Sequence, residues 1–294
     1  MRNSWLAIVW TMRDESTPIL AEIAPFMHSC GHSSRGITRE DYAATVQKVL
    51  EDKMLHSSEE VARKNSHAAS RAFGRRFNVK LNRLLAEMLD LDELFVFPAM
   101  GGDGLPVGGA LAWLLQRDGL ARWLDQRRDL GSIYLGRDFS AATGTEIGRS
   151  PGVGRLPDPP IDGTAARLKA GKIDAIYTHR MEFGPRALGA RTILANPTQR
   201  ETHDLLNVRL ERSEFMPFAP VIQREKASEV FDVTNVNRRA CRYMTIARDV
   251  LPEWRARIPG VVHVDHSARP QIIDRPDNPL YYDISARLSA RPAF

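Results

Sequence analysis

The first clear hydrophobic periodicity begins at residue 38. Thr38-Arg39-Glu40-Asp41 has the form of a helix-initiating capping box with Asp in place of Glu, and Tyr42, Val46, Val49 and Leu50 follow at helical spacing. The helical pattern continues less cleanly from Glu59 to Phe73. A second amphipathic helix is sharper. Leu81, Leu84, Leu85, Met88 and Leu89 recur at i, i+3, i+4, i+7 and i+8, behind Asn78 as a helix cap. Leu94 to Phe97 reads as a short buried strand stopped by Pro98, which has no N–H to continue a ladder. A glycine turn follows, Met100-Gly101-Gly102-Asp103-Gly104. Next comes a helix in which Gly108, Gly109, Ala110 and Ala112 are expected to permit close backbone approach. Helix, strand, glycine turn and helix in that order predict an α/β fold.

Arg149 to Gly163 carries Pro151, Pro157, Pro159 and Pro160 and reads as a linker or long loop. A second α/β block starts at Thr164, with Ile173 to Tyr177 as a strand. The chain therefore divides into a unit over 1–148, a linker over 149–163 and a unit over 164–294. Residues 1–37 have no readable period.

Composition narrows the class. With 294 residues, 43% apolar and 26% charged, the chain can bury a sizeable core and is neither disordered nor collagenous. Forty-one Lys and Arg against 36 Asp and Glu give a net charge of +5, which favours an anionic small-molecule partner. A nucleic-acid partner lacks support, because basic residues do not interleave with aromatic ones. Cys30 and Cys241 alone make no disulfide framework, so a reducing cytoplasm is expected. The apolar run Trp5 to Trp10 falls short of the ~20 residues of a membrane span, and no membrane partner is expected.

The candidate chemistry lies in the second block. His179-Arg180-Met181-Glu182-Phe183-Gly184-Pro185-Arg186-Ala187-Leu188-Gly189-Ala190-Arg191 is dense in arginine and broken by a Gly-Pro step. Guanidinium groups offer bidentate forks, so Arg180, Arg186 and Arg191 suit one dianion. Phe215-Met216-Pro217-Phe218-Ala219-Pro220 has the stiffness of a pocket wall, and His263-Val264-Asp265-His266-Ser267-Ala268-Arg269 the alternation of a site edge. The plainer reading is solvated arginines, a core Phe-Pro turn, and His263 paired with Asp265.

The segment Arg180 to Gly189 resembles the hallmark of the NodU/CmcH family of O-carbamoyltransferases. So do Glu214 to Pro220, Pro252-Glu253-Trp254-Arg255, His263 to Ile273, Asp277-Asn278-Pro279, Asn78-Val79-Lys80-Leu81-Asn82 and Pro98 to Gly109. The resemblance runs from Thr38 to Ala286. It implies a partial ATPase-type half-domain, of the actin, sugar-kinase and Hsp70 type, followed by a partial YrdC-like α/β domain. It implies ATP and iron as cofactors and carbamoyl phosphate as donor. Carbamate passes through a carbamoyl adenylate to an acceptor hydroxyl, such as a sugar hydroxyl of a lipo-chitooligosaccharide. Arg180, Arg186, Arg191, Arg212 and Arg269 become the expected carbamoyl-phosphate cage, with Phe215 and Phe218 as its wall. Asn78, Gly101 and Gly104 become a nucleotide-binding remnant, and Asp103 a metal ligand.

The sequence also departs from the family. Elements of full-length members are missing at both ends, so a truncated chain is expected, or one served by a separately encoded N-terminal half. The Asp of the glycine turn is displaced by one residue. Gly74-Arg75-Arg76-Phe77 places bulky cations where the family has a glycine-rich turn, and His28 and His32 stand too near Asn78 to match the family's iron-binding histidines. Two readings follow: a carbamoyltransferase, or a non-catalytic anion-binding fragment or split-enzyme subunit.

Overall fold

A computed structural model describes residues 44–45, 47–53, 55–56, 71–73, 78–88, 91–126, 130–138, 145–153, 160–211 and 218–289. The expected cap at Thr38, together with Tyr42, Val46, Gly74 to Phe77, Leu89, Cys30, His28 and His32, lies outside these residues. Positions 47–53 are helical, as the periodicity predicts.

The described residues mix helices with small sheets, an α/β arrangement. Strand β1 (Arg71–Phe73) pairs in parallel with β2 (Glu93–Phe95), and between them runs helix α1 (Val79–Met88). The pattern through Glu59 to Phe73 predicted helix, yet its last three residues form a strand. The reason is tertiary. Leu94 and Val96 on and beside β2 are fully buried, and the backbone of β2 needs a hydrogen-bonding neighbour. Asn78 caps α1 as predicted, its Oδ1 accepting from the backbone N–H of Leu81 at 2.9 Å.

After the glycine turn, helix α2 (Leu105–Gln126) runs through a break at Gly119, whose φ is 78°. Its small residues do not serve close approach. Gly108, Gly109, Ala110 and Ala112 are exposed, and a Cβ at either glycine would meet nothing. Helix α3 (Pro160–Lys169) begins inside the expected linker, with Pro160 at its first position, where a missing N–H costs nothing.

The rest of the chain builds three more two-stranded sheets. β3 (Asp174–Tyr177) and β4 (Arg191–Leu194) are antiparallel, with Tyr177 opposite Arg191. Helix α4 (Glu201–Arg209) follows, and then β5 (Val221–Gln223), helices α5 (Ala227–Val230) and α6 (Asn235–Cys241), β6 (Arg248–Asp249) and helix α7 (Pro252–Arg255). β7 (Ser267–Ala268) pairs antiparallel with β6, β8 (Gln271–Ile273) pairs in parallel with β5, and helix α8 (Pro279–Ser289) closes the described chain against α3.

One apolar cluster joins early and late segments. Leu94 and Val96 pack in it with Ile222, Phe231, Cys241, Ile246, Val250 and Ile272. Polar ties reinforce the join. Asn82 is fully buried and its Nδ2 donates to the Thr245 carbonyl at 2.8 Å. Arg83 forks onto Asp249 at 2.6 and 2.8 Å. Arg248, only 2% exposed, donates to the Asp232 carbonyl at 2.6 Å and carboxylate at 2.5 Å, and to Glu87 at 3.1 Å. A buried guanidinium must be paired this fully, because an uncompensated one costs several kcal/mol. Among the described residues, no helix is long and apolar enough to cross a membrane.

Two outcomes are expected. Leu94→Ala should lower stability by about 2–5 kcal/mol, through lost burial and the cavity left behind; urea denaturation measures it. Burial pushes the Cys241 thiol up to about 12, against the opposing charge of Arg248, so it stays protonated at pH 8. Thiol reagents should leave Cys241 unmodified in the native chain and label it on unfolding, as peptide mass mapping would report.

Candidate anion-binding site

The arginine-rich motif is an irregular loop between β3 and β4. Pairing of Tyr177 with Arg191 clamps its two ends, and the Thr178 N–H donates to the Ala190 carbonyl at 3.1 Å. A single carboxylate organises the inside. Glu182, 5% exposed, accepts through Oε1 from the backbone N–H groups of Leu188 at 2.6 Å, Ala190 at 3.1 Å and Arg191 at 3.3 Å. Successive amide dipoles aimed inward form a concavity that suits a negative charge, and here the chain supplies its own.

Other elements hold the loop's carbonyls. The Tyr134 hydroxyl and Gln271 Nε2 each donate to the Leu188 carbonyl at 2.8 Å, and Asn278 Nδ2 donates to the Gly189 carbonyl at 3.1 Å. Burial pushes the Tyr134 hydroxyl up to about 12; the amide of Asn278 opposes the shift and Glu182 adds to it, so the group is a fixed donor at neutral pH. At Gly189 φ is 113°, and a Cβ would lie 2.3 Å from the Tyr281 ring, so no other residue fits.

The Gly-Pro step seats the loop on the other motif. Gly184, at φ 116°, lies against Pro98 and Ala99, where an added Cβ would be 3.3 Å from the Pro98 carbonyl oxygen. Phe183 and Phe97 bring their ring centroids to 6.2 Å. Arg186 then comes under the influence of Asp103, in the glycine turn, and of Arg269, just before β8. Burial first, then the charge of Arg269, pull the Arg186 guanidinium down to about 10, and Asp103 opposes them. Arg186 therefore remains a cation at neutral pH. The two guanidinium groups repel each other, which an anion between them would relieve.

Arg269 also bears on His263. Burial lowers the His263 pKa, Asp265 opposes the shift and Arg269 adds to it, so the imidazole is neutral at pH 7. His263 and Asp265 do not pair directly. They meet through Ser267, whose hydroxyl donates to Asp265 at 2.7 Å and lies 3.0 Å from His263 Nδ1.

The expected residues thus separate. Arg186, Arg269 and Asp103 lie near enough for the charges of the other two to act on Arg186. Arg191 is engaged elsewhere: it donates to the carbonyls of Thr178 at 2.6 Å, Ala190 at 2.8 Å and His179 at 3.1 Å, and stacks 3.6 Å from the Tyr177 ring centroid. Arg180 is exposed on the loop. Phe218 packs its ring 5.6 Å from that of His203 on α4. Arg212 and Phe215 lie outside the described residues. Asn78 spends its side chain on the α1 cap and on Gln47, whose Oε1 accepts from its Nδ2 at 2.8 Å. Gly101 is half-buried, whereas Gly104 answers an internal need, since a Cβ there would lie 2.0 Å from the Ala99 carbonyl oxygen. Among the described residues no three His, Cys, Asp or Glu side chains gather to hold a metal, and the neighbour of Asp103 is a cation. Tyr134 also belongs to the site. It stands in a short segment without periodicity, so no local signal marks it.

Two family models match the chain: the carbamoyltransferase C-terminus over residues 165–293 and the carbamoyltransferase N-terminus over residues 10–111. Uncharacterized protein MJ1058 of Methanocaldococcus jannaschii is 32% identical over 251 residues, covering 83% of this chain and 40% of that protein. Nodulation protein U of Azorhizobium caulinodans is 28% identical over 270 residues, 90% of this chain and 45% of that protein. Nodulation protein NolO of Bradyrhizobium diazoefficiens is 31% identical over 253 residues, 83% of this chain and 45% of that protein. The chain spans less than half the length of these relatives.

Glu182→Ala should destabilise the chain strongly, because three inward N–H groups lose their acceptor and each buried orphan costs about 1–3 kcal/mol. Glu182→Gln keeps an acceptor oxygen and should cost much less. Urea denaturation of both variants, with amide exchange at Leu188, Ala190 and Arg191, checks this. Equal stability of the Ala variant and the parent would remove Glu182 as the loop's anchor.

Proposed function

The chain belongs to the carbamoyltransferase family, and from that premise we propose that it binds carbamoyl phosphate on the Arg186 and Arg269 pair and serves transfer of the carbamoyl group to a hydroxyl acceptor. The observation that carries this reading is that two half-buried guanidinium groups, one of them presented by the family's long motif, stand close enough for one charge to act on the other. A phosphate dianion accepts two forks at once, and the same cations would stabilise the charge that gathers on phosphate as it leaves carbamate. Carbamate is unstable in water, so a shielded site next to its point of use suits the chemistry.

The finer assignments are proposals of the same kind. Residues 1–148 are proposed as the partial ATPase-type half, and residues 164–294 as the partial YrdC-like unit. Likeness to nodulation proteins supports a sugar hydroxyl of a lipo-chitooligosaccharide as acceptor. Arg180 and Arg212 are proposed as further donor-binding cations. Arg191 is proposed as a brace of the loop.

ATP and iron are expected from the resemblance, but the described residues do not fit them well. Asn78 is consumed by its cap, Gly104 faces its own chain, and Asp103 neighbours Arg186. These observations favour a second reading, in which this chain binds the donor anion without completing transfer. Weak or absent binding of magnesium ATP is proposed, and calorimetry showing micromolar affinity would count against it.

The deciding experiment follows carbamoyl phosphate binding by calorimetry, together with transfer of labelled carbamoyl to a chitooligosaccharide. Arg186→Ala should weaken donor binding about ten- to a hundredfold, the equivalent of a charge-assisted hydrogen bond of about 1.5–3 kcal/mol. Because Arg186 acts as a cation, binding should also fade as pH rises through about 10. Donor binding without transfer would select the second reading. Donor binding untouched in Arg186→Ala would reject both.

A further inference from the structure

We propose that a second basic cleft, separate from the motif loop and lined by Arg224, Arg238, Arg239 and Arg242, binds a small phosphate ester carrying two or more phosphoryl groups. The cleft encloses about 430 Å³ and is completed by Glu93, Asn235, Leu130 and Gly131. That volume lies in the ~300–1,000 Å³ range of small-ligand sites. Neither Arg186 nor Arg269 lines it.

The arginines arrive from two places. Arg238 and Arg239 lie on α6 and Arg242 caps its C-terminal end, while Arg224 follows β5. Cations at the end of a helix complement its dipole, which accounts for the α6 group alone but not for the addition of Arg224. Arg238 and Arg242 stand at i and i+4, where like charges repel.

Several of these groups are already aimed. Arg239 donates to Glu93 at 3.3 Å and lies 4.8 Å from the Phe95 ring centroid. Arg242 donates to Asp277 at 2.7 Å and lies 5.8 Å from the Tyr243 ring centroid. Arg224 is paired with Asp274. A guanidinium carries five N–H donors, more than one carboxylate engages, so Arg224 and Arg242 keep capacity for a ligand. Arg238 is exposed and forms no ion pair among the described residues.

The lining also selects the ligand's chemistry. Leu130 is its one large apolar side chain, so the cleft offers little to an apolar ligand. Four guanidinium groups meet three carboxylates, Glu93 on the lining and Asp277 and Asp274 paired with Arg242 and Arg224, and the remaining positive charge and N–H forks favour a compact anion with several oxygens, which such forks match bidentately. Spare N–H donors on several arginines around one volume favour more than a single phosphoryl group.

The test is calorimetry of inorganic pyrophosphate on the full chain, with orthophosphate as comparator. Pyrophosphate should bind saturably and more tightly than orthophosphate, and more weakly as salt is raised. Arg238→Ala should weaken pyrophosphate binding about tenfold or more, by loss of one charge-assisted contact. Arg238→Glu should weaken it further, and Arg238→Lys should retain most of it. Arg238 is exposed, so these variants are expected to fold, and circular dichroism checks that they do. If one fails, Arg224→Gln replaces it and should show the same loss. In an Arg186→Ala background, which weakens the motif-loop site, a saturable pyrophosphate site should remain and should be lost when Arg238→Glu is added. The proposal is overturned if pyrophosphate does not bind, if Arg238→Glu binds it like the parent, or if Arg186→Ala abolishes the binding.

Discussion

The structure around the site depends on one carboxylate placed where three backbone amides point. Glu182 fills the concavity made by Leu188, Ala190 and Arg191 and so fixes a loop that has no ladder of its own. The Tyr134, Gln271 and Asn278 side chains hold the same loop through its carbonyls. A backbone satisfied on both sides is stiff, and stiffness is what a loop needs if it is to present a half-buried cation. Arg186 is aimed by the turn that Gly184 permits, and the turn rests on Pro98 and Ala99, distant in sequence.

That distance explains why the core is shared. Leu94 and Val96 are buried among residues beyond 220, and Asn82, Arg83 and Glu87 on α1 reach the segment from Thr245 to Asp249. The glycine turn and the arginine loop are therefore held in register by packing between the two halves of the sequence. The electrostatic consequence is a row of charges, with Asp103, Arg186, Arg269, His263 and Asp265 each acting on the next. Carboxylates stand at its two ends and two guanidinium groups near its middle.

Much of this was legible in the residues. The leucine spacing after Asn78 marked α1 and its cap, Leu94 to Phe97 marked β2 although the strand is Glu93–Phe95 and burial continues through Pro98 and Ala99, and Ile173 to Tyr177 marked β3 to within one residue. The motif containing Arg186 stood out by its arginines and its Gly-Pro step. Other features depended on contacts that a linear pattern does not hold. The strand at Arg71–Phe73 exists because β2 requires a neighbour. Arg191 looks like a ligand by type, but backbone carbonyls take its donors. Tyr134 acts through a residue 54 positions away, with no local signal. The small residues of α2 suggested close packing, yet none approaches, because smallness permits contact without requiring it.

The central claim is that Arg186 and Arg269 act on one anion. A double-substitution cycle on carbamoyl phosphate affinity, with Arg186→Ala, Arg269→Ala and both together, tests this most directly. Groups that share a ligand and repel each other without it are coupled, so the losses should depart from additivity by at least about 0.5 kcal/mol. Additive losses, or no loss in either single variant, would contradict the account.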